Sequence, residues 1–172
     1  IQPYGTKLIG NYRFVNLDGE QENKSIGYLS PGHNSAFYDE ETDKYFLFFH
    51  TRFAGGGEHH EVRVHQMFIN QDGWPVITPY RYAGETISKF KKKEICGKYK
   101  IICHGDDITK EIKTSVPIEL IKNGKITGNM SGSWKLSNGN EIEIELDGTV
   151  YRGIAVKQFD TDNKRITITF TA

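Results

Sequence analysis

The chain is short of several things, and each shortage closes off a class of protein. Among 172 residues there are two cysteines, two methionines, two tryptophans and five prolines. Two thiols, Cys96 and Cys103, make no disulfide framework; they read as buried and free, with a bridge across a hairpin as the alternative. Net charge is missing as well, because 22 acidic residues offset 22 basic ones. No long-range field therefore draws the chain to nucleic acid or to an anionic membrane. Lys91-Lys92-Lys93 is the one basic cluster and has no aromatic neighbours suited to base stacking, so it reads as solvated linker. No apolar run has the length of a membrane span. No leader segment is visible and the first residue is Ile, so export is not read from the residues themselves. A Ser-His-Asp signature, a phosphate-cradling glycine loop and zinc-finger spacing are all lacking.

What is present is strand. Hydrophobic content of 37% and aromatic content of 12% suit a globular β-rich protein. Runs of β-branched and aromatic residues alternate with Gly, Asn and Asp turns, without long helical periodicity. Ala36–Tyr38 reads as a strand leaving a Gly32-His33-Asn34-Ser35 turn, and Asp39–Asp43 as a charged turn. Tyr45–Phe53 is a nearly continuous apolar run, as expected of a strand buried on both faces. A glycine-rich loop, Ala54–Gly57, leads to a strand at Glu61–Ile69. The Asp72-Gly73 turn then leads to a strand at Trp74–Thr78. Four strands on short turns make one propeller-type blade, which has two open faces and needs neighbours to bury them. Ile1–Leu29 is expected to supply strands or a loop leading into it.

Thr86–Glu94 is polar and lysine-rich and reads as a linker. Beyond it, short alternating strands ending in Asn-Gly or Asp-Gly turns indicate meandering hairpins in a small barrel or sandwich. In Glu141–Leu146, isoleucine and leucine alternate with glutamate, the pattern of a strand with one face in a core and one in water.

Few residues suggest chemistry. His33 projects from the glycine-rich turn. It either caps that turn by hydrogen bonding or offers an imidazole to a cation. Around Glu58-His59-His60-Glu61 a zinc site is tempting, but a strand rise of about 3.3 Å per residue puts His59 and His65 roughly 20 Å apart. A polar strand face, with Arg63 and Glu61 paired, is the better reading. Arg52 either contacts a sugar or pairs with a buried acid, and pairing is preferred. Glycoside hydrolysis takes two carboxylates across the scissile bond. Asp39, Glu40, Glu41 and Asp43, like Asp106 and Asp107, look like solvated turns with no apolar pocket to raise a pKa. Trp74, Tyr80, Tyr82 and Trp134 are able to stack on sugar rings; for Trp74 and Trp134, packing is the preferred role.

The phrases SPGHNSAFYDEETDKYFLFFHTRF and HEVRVHQMF, with DGWPV and RYAGE after them, resemble the last blade of the arabinan-degrading enzymes of glycoside hydrolase family 43. GSW, YRG and the terminal TFTA resemble the lipocalin-like module that follows it in the longer bacterial arabinanases. The resemblance implies an all-β fold: the final part of a five-bladed β-propeller (residues 1–86, last blade about 30–85), a linker (87–94) and a small antiparallel β-barrel (95–172) whose last strand lies beyond this sequence. It implies a portion of a secreted, inverting endo-1,5-α-L-arabinosidase that works with an N-terminal propeller portion on arabinan. The catalytic carboxylates are expected on that other portion, and none on this chain. His33 is carried over as a contact to a central ion, expected to be calcium and reached through waters. Asn34, on the same turn, and Arg52 are the candidate substrate contacts, and only His33 is carried over from the family. The alternatives from other classes are a non-catalytic carbohydrate-binding protein and a purely structural β module.

Overall fold

The computed structural model describes residues 6–18, 20 and 27–172. Parts of the lead-in expected at Ile1–Leu29 lie outside those residues. Thirteen strands and one helical turn are present among them. In chain order they are β1 (Tyr12–Arg13), β2 (Gly27–Asp39), β3 (Lys44–Arg52), β4 (Glu61–Ile69), β5 (Pro75–Ile77), α1 (Lys92–Ile95), β6 (Gly97–Ile101), β7 (Lys113–Thr114), β8 (Val116–Leu120), β9 (Lys125–Gly128), β10 (Gly132–Ser137), β11 (Glu141–Leu146), β12 (Thr149–Asp160) and β13 (Arg165–Thr171). They form a six-stranded sheet ordered β5-β4-β3-β2-β1-β7 and a seven-stranded sheet ordered β13-β12-β11-β10-β9-β8-β6. Both sheets curl as half-barrels, and the protein is all-β.

The first sheet contains the expected antiparallel meander, β2 to β5, and extends it. β1 pairs antiparallel with β2, and β7, from the second half of the chain, pairs parallel with β1. The Gly32–Ser35 segment is not a turn ahead of a strand. It lies inside β2, which runs through it and pairs with β3 on both sides. Ser30 and His33 adopt φ of 49° and 50°, and the register slips between Leu29 and Gly32 and again between Gly32 and Ser35. Two bulges thus absorb the irregular residues while the ladder continues.

β3 is not buried on both faces as its composition suggested. Leu47, Phe49 and Thr51 are buried on one face, where Tyr12, Tyr28, Met67 and Ile77 complete a core. On the other face Tyr82 covers Phe46 at 4.8 Å, but Phe48 is 38% exposed, with Phe37 at 54% and Val62 at 69% on the neighbouring strands. Nothing in the described chain packs over them.

The second sheet surrounds its own core. Ile142, Ile144 and Leu146 point inward from β11, as the alternation predicted, and join Ile118, Leu120, Ile126 and Trp134. Trp134 is buried and its Nε1 donates to the Ile121 carbonyl at 2.9 Å. Gly153, the glycine of YRG, has a steric purpose: a Cβ there would stand 1.7 Å from the Thr171 carbonyl of β13. The strands do not close a full ring, since β6 and β13 both lie at sheet edges; Tyr99 and Phe170 meet across them at 5.3 Å.

The segment read as a linker is packed. Phe90 is buried and its N–H donates to the Gly139 carbonyl at 2.6 Å. Glu94 accepts from the Lys91 N–H at 2.8 Å, starting the helical turn that buries Ile95 completely. Lys92 lies over the Trp134 ring, 5.2 Å from its centroid, so the lysine run is not simply solvated.

Several contacts tie the two halves of the chain. Phe68 and Val76 pack on Ile154 and Val156. The buried amide of Gln158 accepts from the Tyr80 N–H at 3.2 Å and donates to the Tyr80 carbonyl at 3.0 Å and to Glu85 at 2.8 Å. Lys7 donates to the carbonyls of His104 and Asp107, and Asn11 donates to that of Lys110.

Candidate functional site

The chemistry-bearing residues of the first half gather at one end of the first sheet. The bulge that gives His33 its left-handed backbone turns the side chain toward β3, and Gly32 pairs with His50. The rings of His33 and His50 stand 5.5 Å apart, nearly perpendicular, and His60 lies 4.5 Å beyond His50. His33 and His60 are exposed and His50 half-buried. Desolvation, and then the neighbouring His60 and His33, hold the His50 imidazole below its ordinary pKa. The three rings form a row of imidazole nitrogens at this end of the sheet.

Arg52, at the end of the same strand, is committed elsewhere. Its Nη1 pairs with Glu58 and its Nη2 donates to the Ser30 hydroxyl at 3.0 Å. Arg52 is thus paired with an acid, but an exposed one and not the buried acid expected. Its Nε is buried without a hydrogen-bond partner among the described residues. Asn34, next to His33, is exposed on β2.

The fit to calcium is narrow. No group of three or more His, Cys, Asp or Glu among the described residues is placed to hold a metal ion. Calcium takes six or more oxygen ligands, whereas the groups clustered at this end of the sheet are imidazoles. The described residues do not by themselves make a calcium cage.

The carboxylate turns are structural. Asp39 accepts from the Glu41 N–H at 3.3 Å and from the Thr42 hydroxyl, and Asp43 accepts from Tyr38 at 2.9 Å. Asp107 pairs with Lys113 at 3.1 Å and Lys7 at 3.5 Å, and the Lys113 hydrogen bond holds its carboxyl below the usual range. Arg63 pairs with Glu61 at 3.0 Å, as expected, and its guanidinium also lies 4.6 Å from the Phe53 ring centroid. Cys96 and Cys103 are both free; neither is buried outright, since Cys96 is intermediate and Cys103 exposed. Trp74 is 56% exposed rather than packed, because it sits at the tip of the β4–β5 hairpin.

His65 departs most from its expected place. It was placed on a polar strand face beside Glu61 and Arg63, yet it is wholly buried. Its Nε2 is 2.9 Å from the Tyr28 hydroxyl and its Nδ1 is 2.6 Å from the Thr78 carbonyl. A carbonyl only accepts, so Nδ1 carries the proton and Nε2 accepts from Tyr28. Burial pushes the His65 pKa down to about 4. Strand alternation gives its face correctly; its partners lie 37 and 13 residues away and leave no local signal.

The comparisons with known proteins agree with this architecture. A family model described as the C-terminal lipocalin-like domain of glycoside hydrolase family 43 matches residues 79–172, more than half of the chain. The chain belongs to that family. An extracellular endo-alpha-(1→5)-L-arabinanase 2 of Bacillus subtilis is 52% identical over 99% of this chain. An extracellular endo-alpha-(1→5)-L-arabinanase of Thermotoga petrophila is 45% identical over the whole of this chain. The crystal structure of the glycoside hydrolase family 43 YxiA protein from Bacillus licheniformis superposes with a TM-score of 0.90 at 51% identity, covering 98% of this chain and 36% of that one. The chain spans 36% and 37% of the two curated relatives' lengths. The match to the family 43 domain begins at Pro79, within the segment that Gln158 clamps, so the histidine row lies outside it while falling within the stretch shared with the longer relatives.

Proposed function

We propose that this chain is a non-catalytic portion of an extracellular endo-acting arabinan 1,5-α-L-arabinosidase, and that the acid and base of the inverting hydrolysis reside on an N-terminal propeller portion. One observation carries the reading: the chain is 52% identical to a protein named as such an arabinanase but spans only 36% of it. The uncovered apolar face of the first sheet supports it. Phe37, Phe48 and Val62 form the kind of surface that one propeller blade buries against the next. In this reading β2–β5 is the last blade and the second sheet the accessory barrel.

His33 then contributes one contact, direct or through water, to a calcium ion whose oxygen ligands come from the rest of the enzyme. Asn34 faces arabinan from the same bulge. Arg52 acts through its pairing with Glu58, shaping the end of the blade. The test is reassembly. This chain is co-expressed with the complementary N-terminal portion of the Bacillus subtilis relative, and hydrolysis of linear arabinan and bound calcium are measured. Activity and calcium are expected in the complex, and both should fall in His33→Ala. A complex that forms without activity, while the chain alone is retained on insoluble arabinan, would replace this reading with that of a binding module. Unchanged activity and calcium in His33→Ala would remove the role given to His33.

A further inference from the structure

Among the described residues the larger cores of the two sheets do not meet. Between them lies a cavity of about 950 Å³. Well-packed interiors leave few voids larger than a water molecule, and ligand sites span roughly 300–1,000 Å³. The side chains around it show the gap directly. Tyr99, Ile168 and Phe170 extend from the second core and Leu8, Phe14 and Ile102 from the first. All six are only half-buried although they stand inside the molecule, and all six face this one space. The open seam between β6 and β13 borders the cavity, so a path from solvent exists without unfolding either sheet.

Its ionised groups are balanced. Glu20 pairs with Lys100 at 2.6 Å, Arg165 lies 3.8 Å from Glu20 and 3.9 Å from Asp160, and Lys7 pairs with Asp107. Lys98 and Asp106 also line the cavity, without an ion pair among the described residues, and offset each other in sign, so the lining as a whole favours neither ionic ligand, and any charge brought in would lose its water. Tyr80 lines the cavity, and its hydroxyl has no hydrogen-bond partner among the described residues. Burial raises the Tyr80 pKa, so the phenol stays protonated and able to donate.

We propose that the cavity between the two sheets binds an uncharged, largely apolar small molecule, aromatic or aliphatic, that carries an oxygen acceptor for the Tyr80 hydroxyl. The site is separate from the histidine end of the first sheet and does not depend on how arabinan is handled there.

The test is a fluorescence titration of the chain with N-phenyl-1-naphthylamine, an uncharged apolar probe whose emission rises out of water. One saturable site is expected. Ile101→Trp, which fills the space, should weaken binding at least tenfold with the thermal midpoint kept. Ile101→Phe serves if the larger residue impairs folding, with a smaller loss in the same direction. Phe37→Ser and Phe48→Ser, on the uncovered face, should leave binding unchanged. Tyr80→Phe should leave this probe unaffected and weaken 2-naphthaldehyde, a competitor with a carbonyl oxygen. Absence of saturable binding, binding lost in the Phe37 and Phe48 variants, or an anionic naphthalene sulfonate bound as tightly as the neutral probe would each overturn the proposal. So would undiminished probe binding in a folded Ile101→Trp.

Discussion

The two sheets are built from the same strand chemistry and end in opposite conditions. The seven-stranded sheet turns one face inward on Trp134, Ile142 and Ile144 and leaves its glutamates in water. The six-stranded sheet covers one face with Tyr12, Tyr28, Leu47 and Phe49 and leaves Phe37, Phe48 and Val62 bare on the other. An alternating strand declares one dry face, and a single layer satisfies it. A continuous apolar strand such as Tyr45–Phe53 declares two, and one layer covers only half of what it asks for. The difference between the sheets is thus a difference in how much partner surface each requires.

The comparison breaks or sharpens under substitution. The largest effect belongs to the closed core: Trp134→Ala should cost about 3–5 kcal/mol, read as a lower urea midpoint. Acid should act on the first sheet instead. His65 has a folded pKa of about 4, below its ordinary 6.5, so the unfolded chain binds the extra proton first. The stability this burial provides is present above pH 6.5 and is lost as pH falls from there toward 4, by on the order of 3 kcal/mol. His104, packed edge-on to Tyr12 at 5.4 Å and also lowered to about 4, adds to the same window. Hydrogen exchange at pH 4.5 should expose the amides of Leu47 and Phe49 before those of Ile142 and Ile144; simultaneous loss would erase the distinction between the sheets. Phe48→Ser on the bare face should shift the midpoint by only about 0.5 kcal/mol in the chain alone, yet weaken reassembly with the N-terminal portion. Smallest is Arg152→Ala. Its guanidinium joins Glu143 at 3.1 Å and Asp72 at 3.2 Å, but it is solvent-exposed, and the midpoint should not move measurably.

The sequence made the strands legible wherever pattern and turn chemistry were local. β11 and the hairpins around it, and the meander from β3 to β5, lie where alternation and Asp-Gly turns put them. What it hid was set over distance. β1 and β7 are two residues each, too short to carry a period, and exist because Tyr12 meets Lys113. The extension of β2 through Pro31 and Gly32 looked like a break because those residues usually end strands, whereas bulges tolerate them. The packing of Phe90 and Ile95 was masked by the lysines between them, whose charged ends reach water from a docked helical turn. At the candidate site, that Arg52 pairs with an acid was legible from strand position, though the acid is exposed; the place of His33 inside a strand was not, since its glycine neighbour reads as a turn. The meeting of His33, His50 and His60 was not, since three separate segments bring them together. The cavity had no sequence trace at all, because it is a space between two cores rather than a motif.

The strand exchange at β7 has a practical meaning for anyone wishing to swap or trim the accessory module. Lys113 and Thr114 close the edge of the first sheet beside β1, and Ser115 continues the tie by accepting from the Val15 N–H at 2.8 Å and donating its own N–H to the Arg13 carbonyl at 2.9 Å. A cut placed before Gly97 would therefore not release two intact modules: it would strip the first sheet of a border strand and leave β1 as a raw edge open to pairing with other chains. The boundary that suits a recombinant graft is not a point in the chain but a seam, and residues on both sides of residue 94 are sewn into it.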